Sequence, residues 1–173
     1  MKALTDYILK FGNLNKEQID FIASKATRFT LPKGEYFSEV GKIPRQVAFV
    51  LDGIFRLSFY NDKGEEITNH FIHGNQFVVD YENFEARLPS AENSQAVTDC
   101  ELLVFSRKDW DEISRSIAGW DKIADKMYRK RLIETIEKRS PLVSEDATNR
   151  YLFFLKKFPA LANRVPLSYI EAV

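Results

Sequence analysis

Six residues between positions 80 and 93 carry groups that could hold a small molecule. Asp80, Tyr81 and Glu82 open a short helical stretch, and Ser90, Ala91 and Asn93 follow across a loop. Two carboxylates, a phenol, a hydroxyl, a carboxamide and backbone amides make a mixed set of donors and acceptors. The acidic residues also have a purely structural reading, because negative charge favours the first turn of a helix. Arg87 is the nearest cation and reads as a solvated surface residue. His70 and His73 stand three apart, on opposite faces of a strand, and no cysteine or carboxylate cluster completes a metal-ligand set beside them. Cys100 is the single cysteine, which excludes a disulfide within the chain and a thiolate-held iron–sulfur cluster from one chain. There is no nucleophile–base–acid set and no glycine-rich phosphate loop, so neither catalytic residues nor a cofactor are expected.

These residues need a scaffold, and the composition supplies one. Of 173 residues, 45% are hydrophobic and 14 are phenylalanine, enough for a packed core. Twenty-five basic and 25 acidic residues cancel, which argues against a general nucleic-acid coat. No signal peptide or membrane-length apolar run is visible, and a cytoplasmic protein without membrane association is expected.

Periodicity divides the chain into helical, strand and helical parts. Leu4, Ile8 and Phe11 share a helical face; Ile19, Phe21, Ile22 and Ala26 suggest a second helix capped by Asn15. From Thr27, short apolar runs alternate with turn signals, as in an all-β roll: TRFTL, EYFS, QVAFVLDG, IFRLSFYN, EITNHFI, QFVV, NSQAVTDC and ELLVFS. Phe55, Leu57 and Phe59 fall on one face of their strand, and Arg56, Ser58 and Tyr60 on the other. Helical spacing returns with Trp110, Ile113 and Ile117 behind Ser106 as cap. A longer helix over 119–140 carries a stripe of Trp120, Ile123, Ala124, Met127, Tyr128, Ile133 and Ile136 among Lys126, Arg129, Lys130 and Arg131, and Pro141 ends it. Ser144 reads as the cap of a last helix bearing Tyr151, Leu152, Phe154 and Leu155.

Taken in order, LPKGEYFSEVGKIP, AFVLDGIFRLSFYNDKGEE and NHFIHGNQF, with Gly34, Gly41, Gly53, Gly64 and Gly74, resemble the β-roll of the cyclic-nucleotide-binding fold. The long helix, ATNRYLFFLKKFP and NRVPLSYI extend the resemblance to the Crp/Fnr family of bacterial transcription regulators. It implies an α+β fold: an antiparallel β-roll flanked by helices over 1–118, a dimerisation helix over 119–140, and the beginning of a winged helix-turn-helix domain over 141–173. It also implies a homodimer paired through Trp120, Ile123, Met127 and Tyr128, on a stripe wide enough to pack on its own roll along one side and on the partner along the other. DNA binding is expected only in a form with a complete helix-turn-helix, because no second helix fits between VPLSYI and Val173.

In that family the cyclic phosphate is held by a Gly-Glu pair opening a short helix and by an Arg followed by Ser or Thr. Here Val79 and Asp80 stand at the first pair of positions and Ser90 and Ala91 at the second. The fork-shaped guanidinium contact is missing, and a charge-assisted hydrogen bond of that kind is worth about 1.5–3 kcal/mol. The expectation is a roll that does not bind cyclic AMP in the usual way, with Asp80, Tyr81, Glu82, Ser90, Ala91 and Asn93 as candidate contacts to an unidentified effector. The alternative is a stand-alone module of the same fold that binds a small molecule or a protein without DNA binding.

Overall fold

The computed structural model describes residues 1–139, 147–161 and 163–171. Two helices come first, α1 (Lys2–Ile8) and α2 (Lys16–Lys25). Asn15 caps α2 with a reciprocal pair: its Oδ1 accepts from the Gln18 amide at 2.9 Å, and Gln18 Oε1 accepts from the Asn15 amide at 2.9 Å. Eight strands follow: β1 (Thr27–Leu31), β2 (Tyr36–Ser38), β3 (Gln46–Asp52), β4 (Ile54–Tyr60), β5 (Glu66–His73), β6 (Gln76–Val78), β7 (Asn93–Ala96) and β8 (Cys100–Ser106). A short helix, α3 (Tyr81–Ala86), interrupts them between β6 and β7. After the strands come α4 (Arg107–Ser116), α5 (Trp120–Arg139), α6 (Ala147–Lys157), a 3-10 turn (Pro159–Leu161) and α7 (Leu167–Glu171). Ser106 does cap α4, accepting from the Asp109 amide at 3.1 Å. The expected stop at Pro141 and cap at Ser144 lie outside the described residues. Among the described residues, no helix is long and apolar enough to cross a membrane.

The strands make two antiparallel four-stranded sheets, in the orders β1-β8-β3-β6 and β2-β7-β4-β5. This is the expected α+β roll. Alternation explains why β3 reads as an unbroken apolar run: both of its faces are buried. Ala48 and Val50 point between the sheets, where they meet Phe55, Leu57, Ile72, Leu102 and Val104. Val47 and Phe49 point outward into a second core with Leu4, Ile8, Phe105, Trp110 and Trp120 from the flanking helices.

A third core covers the outside of the other sheet, where Ile54, Phe71 and Val97 meet Phe154, Phe158 and Ile170. On the polar face of β4, Arg56 and Ser58 are therefore buried, and Tyr60 alone is exposed. Arg56 is 3% exposed. Its guanidinium pairs with Glu66 at 3.1 Å, donates to Thr68 at 2.9 Å and lies 4.2 Å from the centre of the Tyr169 ring.

Turn chemistry explains two junctions. Gly53 has φ +107, and a Cβ there would stand 2.6 Å from Cys100 Sγ and 2.8 Å from the Asp99 carbonyl oxygen, so glycine alone fits. Cys100 beneath it is fully buried, and burial pushes its thiol pKa up to about 11. At the β5–β6 turn the left-handed residue is Asn75, with φ 66, rather than the neighbouring Gly74.

Candidate ligand-binding site

The chain leaves β6 at Val78, turns through Val79 and Asp80 into α3, and returns along a loop to β7. This cassette, the inner end of β4 and β5, and α5 enclose a cavity of about 480 Å³. Leu57, Phe59 and Asn69 supply its sheet side, Asp80, Ala91 and Glu92 its cassette side, and Tyr128, Arg131 and Leu132 its helix side.

One carboxylate oxygen organises the cassette. Asp80 Oδ2 accepts from the Ala91 amide at 2.9 Å and from Asn83 Nδ2 at 2.9 Å, and stands 2.8 Å from Ser90 Oγ. The Ser90 hydroxyl is also 2.8 Å from the Glu92 carbonyl oxygen, so its single proton serves one acceptor at a time. Ser90 is 3% exposed. A carboxylate thus draws on the amide and hydroxyl that would otherwise face an anion bound there. A negative charge fixed at that point repels a phosphate rather than receiving it.

The cation that reaches the cassette comes from α5. Arg131 Nη1 donates to the Val79 carbonyl, and its Nη2 meets Glu92 Oε1 at 3.0 Å. Burial pushes the Glu92 carboxyl above the usual carboxylate range; Arg131 opposes that and Asp80 adds to it. The spacing Ala124, Tyr128, Arg131 puts the guanidinium on the side of α5 that packs on the roll, which is the signal that separates it from its basic neighbours. Arg129 instead pairs with Asp125 at 2.8 Å on the surface, and Lys130 lies 3.7 Å from Glu134.

Of the sequence-predicted contacts, Asp80, Tyr81, Glu82 and Ala91 line the cavity. Ser90 supports Asp80 from behind. Asn93, 4% exposed, serves the scaffold: its Oδ1 accepts from the Val40 amide at 2.8 Å. Arg87 faces Asp111 at 3.4 Å across to α4 and is not part of the cavity lining. Tyr81 stacks on Tyr128 with ring centres 5.3 Å apart, and burial pushes the Tyr128 phenol up to about 12. His70 is 6% exposed with its ring 6.3 Å from that of Phe158. Among the described residues no cluster of three His, Cys, Asp or Glu could hold a metal ion.

Of the two roles read for the α5 stripe, packing on the chain's own roll is the one the described residues display. Trp120, Ile123 and Met127 are 1%, 6% and 6% exposed, packed with the roll and α1 of the same chain, and Tyr128 lies against Tyr81. Periodicity shows that a helix face is apolar, not what covers it. The exposed apolar residues of α5 are Leu132, Ile133 and Ile136, at 44%, 55% and 58%. At about 100° per residue Ile133 and Ile136 fall on the side opposite Trp120, Met127 and Arg131, while Leu132 stands beside the roll cavity.

The profile of the cyclic nucleotide-binding domain family matches residues 28–116. Such a domain is typically a non-catalytic regulatory module. Solved structures with the same fold include a cyclic nucleotide-binding domain from Methylobacillus flagellatus, with a TM-score of 0.72 at 12% identity, covering 81% of this chain and 82% of that one. The catabolite activator protein of Thermus thermophilus matches at 0.64 and 20% identity, covering 92% and 82%. The c-di-GMP responsive global regulator CLP of Xanthomonas campestris matches at 0.65 and 19% identity, covering 83% and 72%. No curated protein sequence matches the chain. With the matched stretch running from β1 to the end of α4 and enclosing the whole roll, the chain belongs to the cyclic nucleotide-binding domain family.

Proposed function

We propose that the chain is the sensor and dimerisation part of a Crp/Fnr-like transcription regulator whose roll does not take cyclic AMP in the usual way. The observation that carries this reading is Asp80 Oδ2, which holds the Ala91 amide and lies beside the Ser90 hydroxyl at the positions where the resemblance places the phosphate grip. The Arg131–Glu92 pair ties α5 to the cassette directly, so the position of α5 is coupled to the state of the roll. A second copy packs on Ile133 and Ile136, the bare side of the same helix. In a longer form with a complete helix-turn-helix, that pairing sets the spacing of two DNA-reading helices.

Thermal unfolding and sedimentation of the full chain test both halves of this reading. Cyclic AMP or cyclic GMP at about 1 mM leaves the melting temperature within about 1 °C, while Asp80→Gly combined with Ser90→Arg creates a concentration-dependent rise. The chain sediments as a dimer, and Ile133→Glu returns it to a monomer. A rise of several degrees in the unaltered protein would overturn the closed cassette; a monomer at every concentration would overturn the dimer.

A further inference from the structure

A second cavity, of about 200 Å³, lies outside the roll between α1, α5 and the edge formed by β3 and β6. It is distinct from the roll cavity, although Val79, Tyr81, Tyr128 and Arg131 line both and form the wall between them. Its inner surface is apolar and aromatic: Phe77, Trp110 and Met127 are 8%, 3% and 6% exposed. Tyr7 adds a ring set edge-on to Phe77 with centres 5.7 Å apart. A cavity of about 150 Å³ with apolar walls accommodates benzene, so this one has room for a single substituted ring and little more. It is smaller than the pockets of about 300–1,000 Å³ that take drug-sized ligands.

The polar groups set the charge of the occupant. Lys10, Lys130 and Arg131 line the cavity against one carboxylate, Glu134. Arg131 is engaged with Glu92 and Lys130 is shared with Glu134 at 3.7 Å, so Lys10, with Lys130 beside it, is the cation placed to meet an acid. The phenol of Tyr7 stays protonated at neutral pH, pushed up to about 12 by burial, and can donate to an anionic or carbonyl oxygen, whereas that of Tyr128 is held by Glu82.

We propose that this outer cavity binds a small aromatic carboxylate, its ring among Phe77, Trp110 and Tyr7 and its acid group at Lys10 and Lys130. The inference does not depend on the regulator reading, since it concerns a cavity the cassette does not form alone. A ligand there would press on Tyr81, Tyr128 and Arg131, the residues that join α5 to the roll.

Calorimetric titration of the full chain with phenylacetate and 4-hydroxybenzoate, and with benzylamine as the charge-reversed probe, tests this. At least one acid should saturate a single site with a Kd on the order of 10–500 µM, and benzylamine should not bind. Lys10→Glu with Lys130→Glu, both exposed and so compatible with folding, should weaken the acid at least about tenfold. Ala91→Trp, which fills the roll cavity, should leave the Kd within about twofold. The proposal is overturned if neither acid saturates by about 10 mM, if benzylamine binds as well, if the double charge reversal has no effect, or if Ala91→Trp abolishes binding.

Discussion

The two cavities on either side of the Tyr81–Tyr128 stack differ in charge more than in shape. The roll cavity holds Asp80, Glu82 and Glu92 against Arg131; the outer cavity holds Lys10, Lys130 and Arg131 against Glu134. The first sits where the fold family places a ligand, yet a side chain of the protein occupies the donors. The second sets its cations at the rim of an aromatic bed. A fold can preserve the geometry of a site while the side chains move its chemistry a few ångströms away.

Three substitutions sharpen or break that contrast. Arg131→Leu touches both cavities and should have the largest effect, because it strands the Glu92 carboxylate. A loss of about 2–3 kcal/mol in urea unfolding is expected, with most of it regained in Arg131→Leu, Glu92→Leu. Asp80→Ala should affect the roll cavity alone. It leaves the Ala91 amide and Ser90 hydroxyl without their carboxylate, at a cost of about 1–2 kcal/mol, and should leave aromatic acid binding unchanged. If it alters that binding, the two cavities are one site.

The smallest effect is expected from Tyr7→Phe at alkaline pH. The unfolded phenol ionises at 10.0 and the folded one at about 12, so the folded state holds more protons in that window. Stability is therefore present in full below pH 10.0 and falls as pH rises toward about 12. Tyr7→Phe should flatten that fall in thermal unfolding followed across the same range. An unchanged slope would mean that Tyr7 does not sense the outer cavity's burial.

The roll was legible because its signals are local. Alternation in β4, the cap at Ser106, the reciprocal Asn15–Gln18 cap and the glycine turns are each set by a few neighbouring residues. The candidate site was legible only in its position. Asp80 meets its donors across ten or eleven residues of loop, and Arg131 reaches Val79 from 52 residues away, so their pairing is a product of packing that no spacing rule encodes. The same limit applies to α5: periodicity showed the stripe from Trp120 to Met127, and packing alone showed that the chain's own roll covers it. It also hid the burial of Arg56, which follows from the docking of α7 through Tyr169.

Gly53 and Cys100 carry a practical consequence. With its thiol sealed under a glycine that cannot be replaced without collision, the folded protein presents no thiol to oxidants. Copies joined through sulfur would have to come from molecules that had first opened, so disulfide-linked species in an ageing sample would count unfolding events rather than assembly.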